Sequence, residues 1–261
     1  MTKTLELLDE LVAEGTSVVT PSAIRARTGA SVQATVNMLS RLVEAGLLDR
    51  VARGRYVIRP IGLLGTSAAA EDLALAVAAV FIDKPHRIAF RSALDHHGLL
   101  LHPARTVQVA CTSRVKVAEV SRRPLRVILE KDETVLVGAE RAGESRVSNL
   151  ERALIDAASR PELIGGVEVL AHALAMSSPN IEDLLRYGRR LDAGAAIRRI
   201  GSLADQLAIP GLSGRLRPLA PPKSDVALDT STQRQQGSWR DRRWFVRWDR
   251  AVEDLAHELR Q

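Results

Sequence analysis

An α+β fold built from more than one domain is what the 261 residues predict. The prediction rests on three observations: the length exceeds one typical domain, hydrophobic spacing in the first sixty residues passes from helical to strand-like, and helical patterns dominate from Ser148 onward with a β-rich stretch between. With 46% hydrophobic and 26% charged residues the chain has material for a core and for a soluble surface, which excludes wholesale disorder. The longest apolar stretch, Leu73 to Ile82, ends at Asp83 well short of the roughly 20 residues a membrane span needs. The charged start, Met1 to Glu10, has no apolar signal-peptide core. Cys111 is the single cysteine, so no internal disulfide and no cysteine-based zinc site is expected. A cytoplasmic protein with no membrane partner is the expectation.

Leu5, Leu8, Leu11 and Val12 recur at helical spacing and Glu14-Gly15 closes the run, giving a first helix over about 4–14. Thr20-Pro21 supplies an N-cap with proline in the first turn for a short second helix that breaks at Thr28-Gly29. Ser31 caps a third, whose stripe Val32, Val36, Leu39 and Val43, with Leu42 alongside, is expected to face inward until Ala45-Gly46. Residues 47–51 and 55–58 read as strands around Ala52-Arg53-Gly54, a hairpin with glycine where φ is positive. Three helices followed by a basic hairpin make a winged helix-turn-helix over residues 1–60.

Charge supports a nucleic-acid role for that segment. The chain carries 37 Lys/Arg against 31 Asp/Glu, and residues 15–60 hold seven basic residues (Arg25, Arg27, Arg41, Arg50, Arg53, Arg55, Arg59) against Glu44 and Asp49. A second surplus runs from Arg186 to Arg250, fourteen Lys/Arg against six Asp. With its valine stripe inward, helix three presents Ser31, Gln33, Ala34, Asn37 and Arg41, with Thr35 and Met38 at the margins. Gln and Asn suit adenine edges, Arg suits guanine, and Ala or Thr methyls suit the thymine methyl. Arg50, Arg53 and Arg55 on the hairpin are placed for phosphates or a minor groove. The partner expected is double-stranded DNA bearing an inverted repeat; the competing reading is a solvated face on a winged module used for protein contacts.

Residues 61–220 are expected to form the second domain, opened by a Gly/Ser/Ala-rich joint at 61–70. An Ala-rich helix over 71–81, a short helix over 91–97, strands at 106–111, 125–129 and 134–137, and helices over 149–159, 167–175, 181–191 and 193–207 follow. His96, His97 and His102 near Asp95 raise a metal site, yet neighbouring helical histidines point about 100° apart. Glu130 to Glu133 reads as a solvated turn and Asp156 as an ordinary helix ion pair with Arg152. No phosphate loop or nucleophile elbow is present. The chain is expected to be no enzyme and to hold no cofactor and no metal.

Several stretches in order resemble the AbiE-type abortive-infection antitoxins: residues 47–56 after the winged helices, residues 88–99 (Ile-Ala-Phe-Arg-Ser-Ala-Leu-Asp-His-His-Gly-Leu), residues 147–156 with Glu151-Arg152-Ala153-Leu154-Ile155-Asp156, and residues 160–168 with Gly165-Gly166. The resemblance spans roughly residues 5–215. It implies a cytoplasmic phage-defence antitoxin that represses its own operon through the N-terminal domain. It further implies that the protein counteracts a nucleotidyltransferase toxin through the C-terminal one, without a stable complex. Ser92, His97, Asp156, Gly165 and Gly166 match family positions, where they are expected to serve domain architecture. A free-standing winged-helix regulator with a ligand-sensing or dimerising C-terminal domain is the alternative, and a metal nuclease a more distant one.

The tail, residues 221–261, is Pro/Gln/Arg-rich and carries Trp239, Trp244, Phe245, Val246 and Trp248 among arginines. Trp244, Val246 and Trp248 alternate like a strand, which predicts that they join or cover the sheet and dock on the C-terminal domain.

Overall fold

The computed structural model of the protein describes residues 2–59, 64, 72–219, 224–229 and 238–258. In chain order, α1 (Thr2–Ala13), β1 (Val18–Val19), α2 (Pro21–Thr28), α3 (Val32–Glu44), β2 (Leu48–Ala52), β3 (Arg55–Ile58) and α4 (Leu73–Val80) come first. They are followed by β4 (His86–Ile88), α5 (Phe90–His96), β5 (Val107–Cys111), β6 (Glu119–Val120), β7 (Arg123–Leu129), α6 (Asp132–Val135), β8 (Ala139–Ala142) and β9 (Ser145–Ser148). The C-terminal part holds α7 (Leu150–Ser159), α8 (Pro161–Ile164), α9 (Val167–Ala175), α10 (Ile181–Arg190), α11 (Gly194–Gln206), β10 (Val226–Ala227), β11 (Trp239–Asp241), β12 (Val246–Trp248) and α12 (Val252–Glu258). Two compact units divide this order: residues 1–84, 113–126 and 141–146 form one, and residues 85–112, 127–140 and 147–261 the other. The chain is therefore an α+β protein with a winged helix-turn-helix and a larger helical unit holding a mixed sheet.

Local chemistry explains the first unit. Thr20 accepts from the Ala23 amide at 3.2 Å to cap α2 with Pro21 in its first turn, and Gly29 ends that helix at φ 67°. Ser31 caps α3 by accepting from the Ala34 amide at 3.2 Å. The hairpin pairs Ala52 with Arg55 across a two-residue loop in which Gly54 has φ 69°. β1, too short to show as a pattern, pairs antiparallel with β3 through Val18–Val57 and Val19–Tyr56, giving the sheet order β1-β3-β2. Leu7, Leu8, Leu11, Val19, Ile24, Leu39, Leu42, Leu48 and Ile58 close the core.

The unit takes in more chain than residues 1–60. Leu75 and Ala79 of α4 pack with Val57, Val18 and Val51 on the strands, so the Ala-rich helix expected in the second domain belongs to the first. The joint expected at 61–70 lies outside the described residues except for Leu64.

In the second unit β4 pairs antiparallel with β5 and parallel with β9, which makes the sheet mixed. The buried helix α7 is packed by α5, α9, α10 and α11. Residues 134–137 are expected as a strand, but Thr134 and Val135 end the short helix α6 and Leu136 and Val137 follow in a turn. The Lys131 carbonyl accepts from the Thr134 and Val135 amides and from the Thr134 hydroxyl, and the Thr134 and Val137 carbonyls are turned to accept from Arg152.

The tail forms its own sheet, β10-β12-β11, rather than extending the middle one. Trp244 and Trp248 are buried, with the indole of Trp244 donating to Asp205 at 2.7 Å and that of Trp248 to Ser202 at 2.9 Å. The Trp244 ring lies on Gly201 of α11, where any Cβ would overlap it. The prolines at 221 and 222 and the Gln-rich stretch 230–237 lie outside the described residues.

Candidate nucleic-acid interface

Helix α3 is amphipathic, but its buried stripe is rotated from the one the valines predict. Thr35, Leu39 and Leu42 face the core, while Val32 and Val36 are 59% and 43% exposed. Both stripes share Leu39, and apolarity alone favours the valines. Thr35 goes inward because its hydroxyl donates to the Ser31 carbonyl at 2.9 Å, leaving no unsatisfied donor in the core. Thr35 is accordingly removed from the set of base-reading candidates: its side chain has no exposed surface.

The outward face then carries Ser31, Gln33, Ala34, Asn37 and Arg41, all exposed, joined by Val32 and Val36. Gln33 donates to the Asn37 side-chain oxygen at 3.0 Å, so two amides one turn apart are held side by side in a row that Arg41 extends. Such a row offers two amides and a guanidinium to successive base edges, and the valines add methyls for thymine. Sequence reasoning missed the valines because they were assigned to the core. The hydroxyl of Thr35, able to bond one turn back, was the signal for the alternative.

The basic residues divide into free and tied. Arg27 is paired with Glu14, and Arg59 with Asp49 at 2.8 Å, so neither charge is fully available to a ligand. Arg41, Arg50 and Arg53 are exposed and make no ion pair among the described residues, and the half-buried Arg55 donates to the Gly54 carbonyl at 3.4 Å. Arg25, in the last turn of α2, is likewise exposed and unpaired among the described residues; the sequence reading counted it in the basic surplus but did not place it at the interface. Helix α3 packs on β2, so Arg50 and Arg53 are carried by the hairpin whose strand supports that helix.

The other candidates resolve into architecture. His96 and His97 meet edge-on with centroids 5.3 Å apart, and His97 bonds the Ser148 carbonyl at 2.8 Å through Nε2. No group of three potential metal ligands occurs among the described residues. Ser92 donates to the Thr106 carbonyl and accepts from the Gln108 amide, and Gly165 and Gly166 take φ of 104° and 112° between α8 and α9. Asp95 accepts from the Ala104 amide.

Glu130 is no solvated turn residue. Arg87, wholly buried, directs all five of its N–H donors at Ser148, Glu130, Asp156 and the Val135 carbonyl, with 2.7 Å to Asp156 and 2.9 Å to Glu130. Arg152 bonds the same two carboxylates at 2.8 and 2.7 Å. Burial alone would push the Asp156 carboxyl up, but the two guanidiniums hold it below its ordinary value. The carboxylates that a metal nuclease would need at this point are therefore already neutralised by arginine.

No helix among the described residues is long and apolar enough to cross a membrane. Among solved structures, the crystal structure of the RV2827C protein from Mycobacterium tuberculosis is similar, with a TM-score of 0.64 and 17% sequence identity over 100% of this chain and 96% of that one. At that identity the likeness is one of fold. No curated protein matches the sequence. Residues 6–59, the helices, hairpin and exposed face described above, match the family model of the AbiEi antitoxin transcriptional regulators.

Proposed function

We propose that the protein is a DNA-binding antitoxin that represses its own operon and counteracts a nucleotidyltransferase toxin without forming a stable complex with it. The observation that carries the first part is the face of α3, with Gln33, Asn37 and Arg41 in one exposed row beside unpaired arginines on α2 and the hairpin. The family match over residues 6–59 supports the same reading and is the ground for the antitoxin role. The row reads base edges in the major groove, while Arg50, Arg53 and Arg55 meet phosphates. Two copies on an inverted repeat place two such helices one helical turn apart. The larger unit carries the antitoxin function, and the chain acts through binding, with no cofactor or metal.

Footprinting beside melting curves tests the DNA reading. Asn37→Ala or Arg41→Ala should each weaken operator binding by about 1–3 kcal/mol and leave the melting temperature unchanged. Operator binding at wild-type strength by both variants would remove α3 as the reader. The antitoxin role requires a nucleotidyltransferase gene in the same operon; co-expression with its product is expected to restore growth, and the lack of such a gene or continued arrest refutes the role.

A further inference from the structure

The first unit contains a second basic hairpin, distant in sequence from the winged region. Residues 113–126 belong to that unit, with β6 lying beside β2 and α4. β6 and β7 pair antiparallel through Glu119–Pro124 and Val120–Arg123, so the connection is the two-residue loop Ser121-Arg122. Ser121 and Arg122 have φ of 49° and 58°. Two consecutive positive φ values are the turn geometry that matches strand twist in a tight hairpin. Glycine or asparagine usually occupies such sites; here an arginine is held at the tip despite the conformational cost of a positive φ. The wing is built alike, a two-residue loop with Arg53 at its tip.

Over residues 113–126 there are five cations, Arg114, Lys116, Arg122, Arg123 and Arg126, against the single acid Glu119. None of the five has an ion-pair partner among the described residues, and all but the half-buried Arg123 are exposed. Val120, fully buried, anchors the hairpin. Like charges crowded on one short ribbon repel each other, a cost that an anionic partner removes. Two basic ribbons on one compact unit, both arginine-tipped, share the chemistry of phosphate contact, and a polyanion with repeating charge suits both.

We propose that the hairpin 113–126 is a second DNA-contacting ribbon, engaging phosphates of the same duplex outside the stretch that α3 reads. The inference rests on the DNA reading given above. It adds a sequence-independent contribution: the hairpin binds backbone, sets affinity and salt dependence, and leaves base preference to α3.

The test uses the full chain with Arg122→Gln, Arg123→Gln and Arg126→Gln combined, titrated over a salt series against operator and against an unrelated duplex. The slope of log affinity on log salt is expected to fall by about 2–3, and binding to both duplexes to weaken by the same factor, roughly tenfold or more, with a footprint shortened at its outer edge. If the triple variant melts below wild type, Arg114→Gln with Lys116→Gln, outside the paired strands, gives the same reading with a fall of about 2. An unchanged slope and footprint in the correctly folded variant overturns the proposal. When Arg53→Gln with Arg55→Gln lowers the slope and the hairpin variant does not, the hairpin fails while the DNA reading stands. No binding of either duplex by wild-type protein overturns both.

Discussion

Two groups of arginines, one in each unit, are used in opposite ways. In the first, Arg25, Arg41, Arg50 and Arg53 are exposed and lack ion-pair partners among the described residues. In the second, Arg87 and Arg152 are buried against Glu130 and Asp156, Arg199 bonds the Ala158 and Ala227 carbonyls at 2.8 and 2.7 Å, and Arg250 is tied to Asp249 and Glu168. The basic surplus between Arg186 and Arg250 is thus partly absorbed by the fold. Net charge does not separate these uses; partners do. A guanidinium with every donor satisfied has nothing left for a ligand, while an exposed unpaired one keeps its full capacity for phosphate or guanine.

The sharpest way to break the contrast is to remove a partner from the buried group. Asp156→Asn leaves Arg87 and Arg152 sharing one carboxylate, an uncompensated buried charge, and should destabilise the second unit by about 3–5 kcal/mol in a denaturant titration. The acid limb of stability should change with it. The Asp156 carboxyl is held below its ordinary value of 3.8, so its stabilisation is present above that pH and is lost as pH falls below it. In a pH series of melting curves, wild type should lose stability over that acid range and Asp156→Asn should lose less. An equal loss in both would assign the acid sensitivity elsewhere.

Next in size is the pair that decides which way α3 faces. Leu39→Ala, in the stripe that the structure buries, should cost about 2–5 kcal/mol through the cavity it leaves. Val36→Ala, on the exposed side, should stay within about 0.5 kcal/mol. The order would reverse only if the valine stripe were the buried one. The smallest effect is Arg53→Ala: no change in melting, and a salt dependence of DNA binding flattened by about one unit.

What the sequence made legible was local. The caps Thr20 and Ser31, the glycines that end α2 and turn the hairpin, and the helices α7, α9, α10 and α11 follow from residue types a few positions apart. The orientation of α3 was legible only in part, because two stripes through Leu39 compete and the deciding bond runs from Thr35 to Ser31. Of the arginine cluster, only the helical pair Arg152–Asp156 was legible; the part played by Arg87 was not. Its partners lie 43 and 69 positions away, and nothing near Glu130 or Asp156 in the chain reveals that they meet. The hairpin 113–126 escaped notice for the same reason, since its basic residues lie in a stretch whose surroundings are closer to charge balance and its unit is assembled from three separate segments.

The packing of the tail gives the molecule an optical property. All three tryptophans lie between residues 239 and 248. Two are buried on α11 and the third stacks on Trp248 with centroids 5.3 Å apart. Indole emission therefore reports one joint, the seating of β11 and β12 on α11, and shifts to longer wavelength when that joint opens to water. Helix α3 has no indole of its own. A spectral shift on adding DNA would therefore report a change in the tail, far along the chain from the residues proposed to read bases.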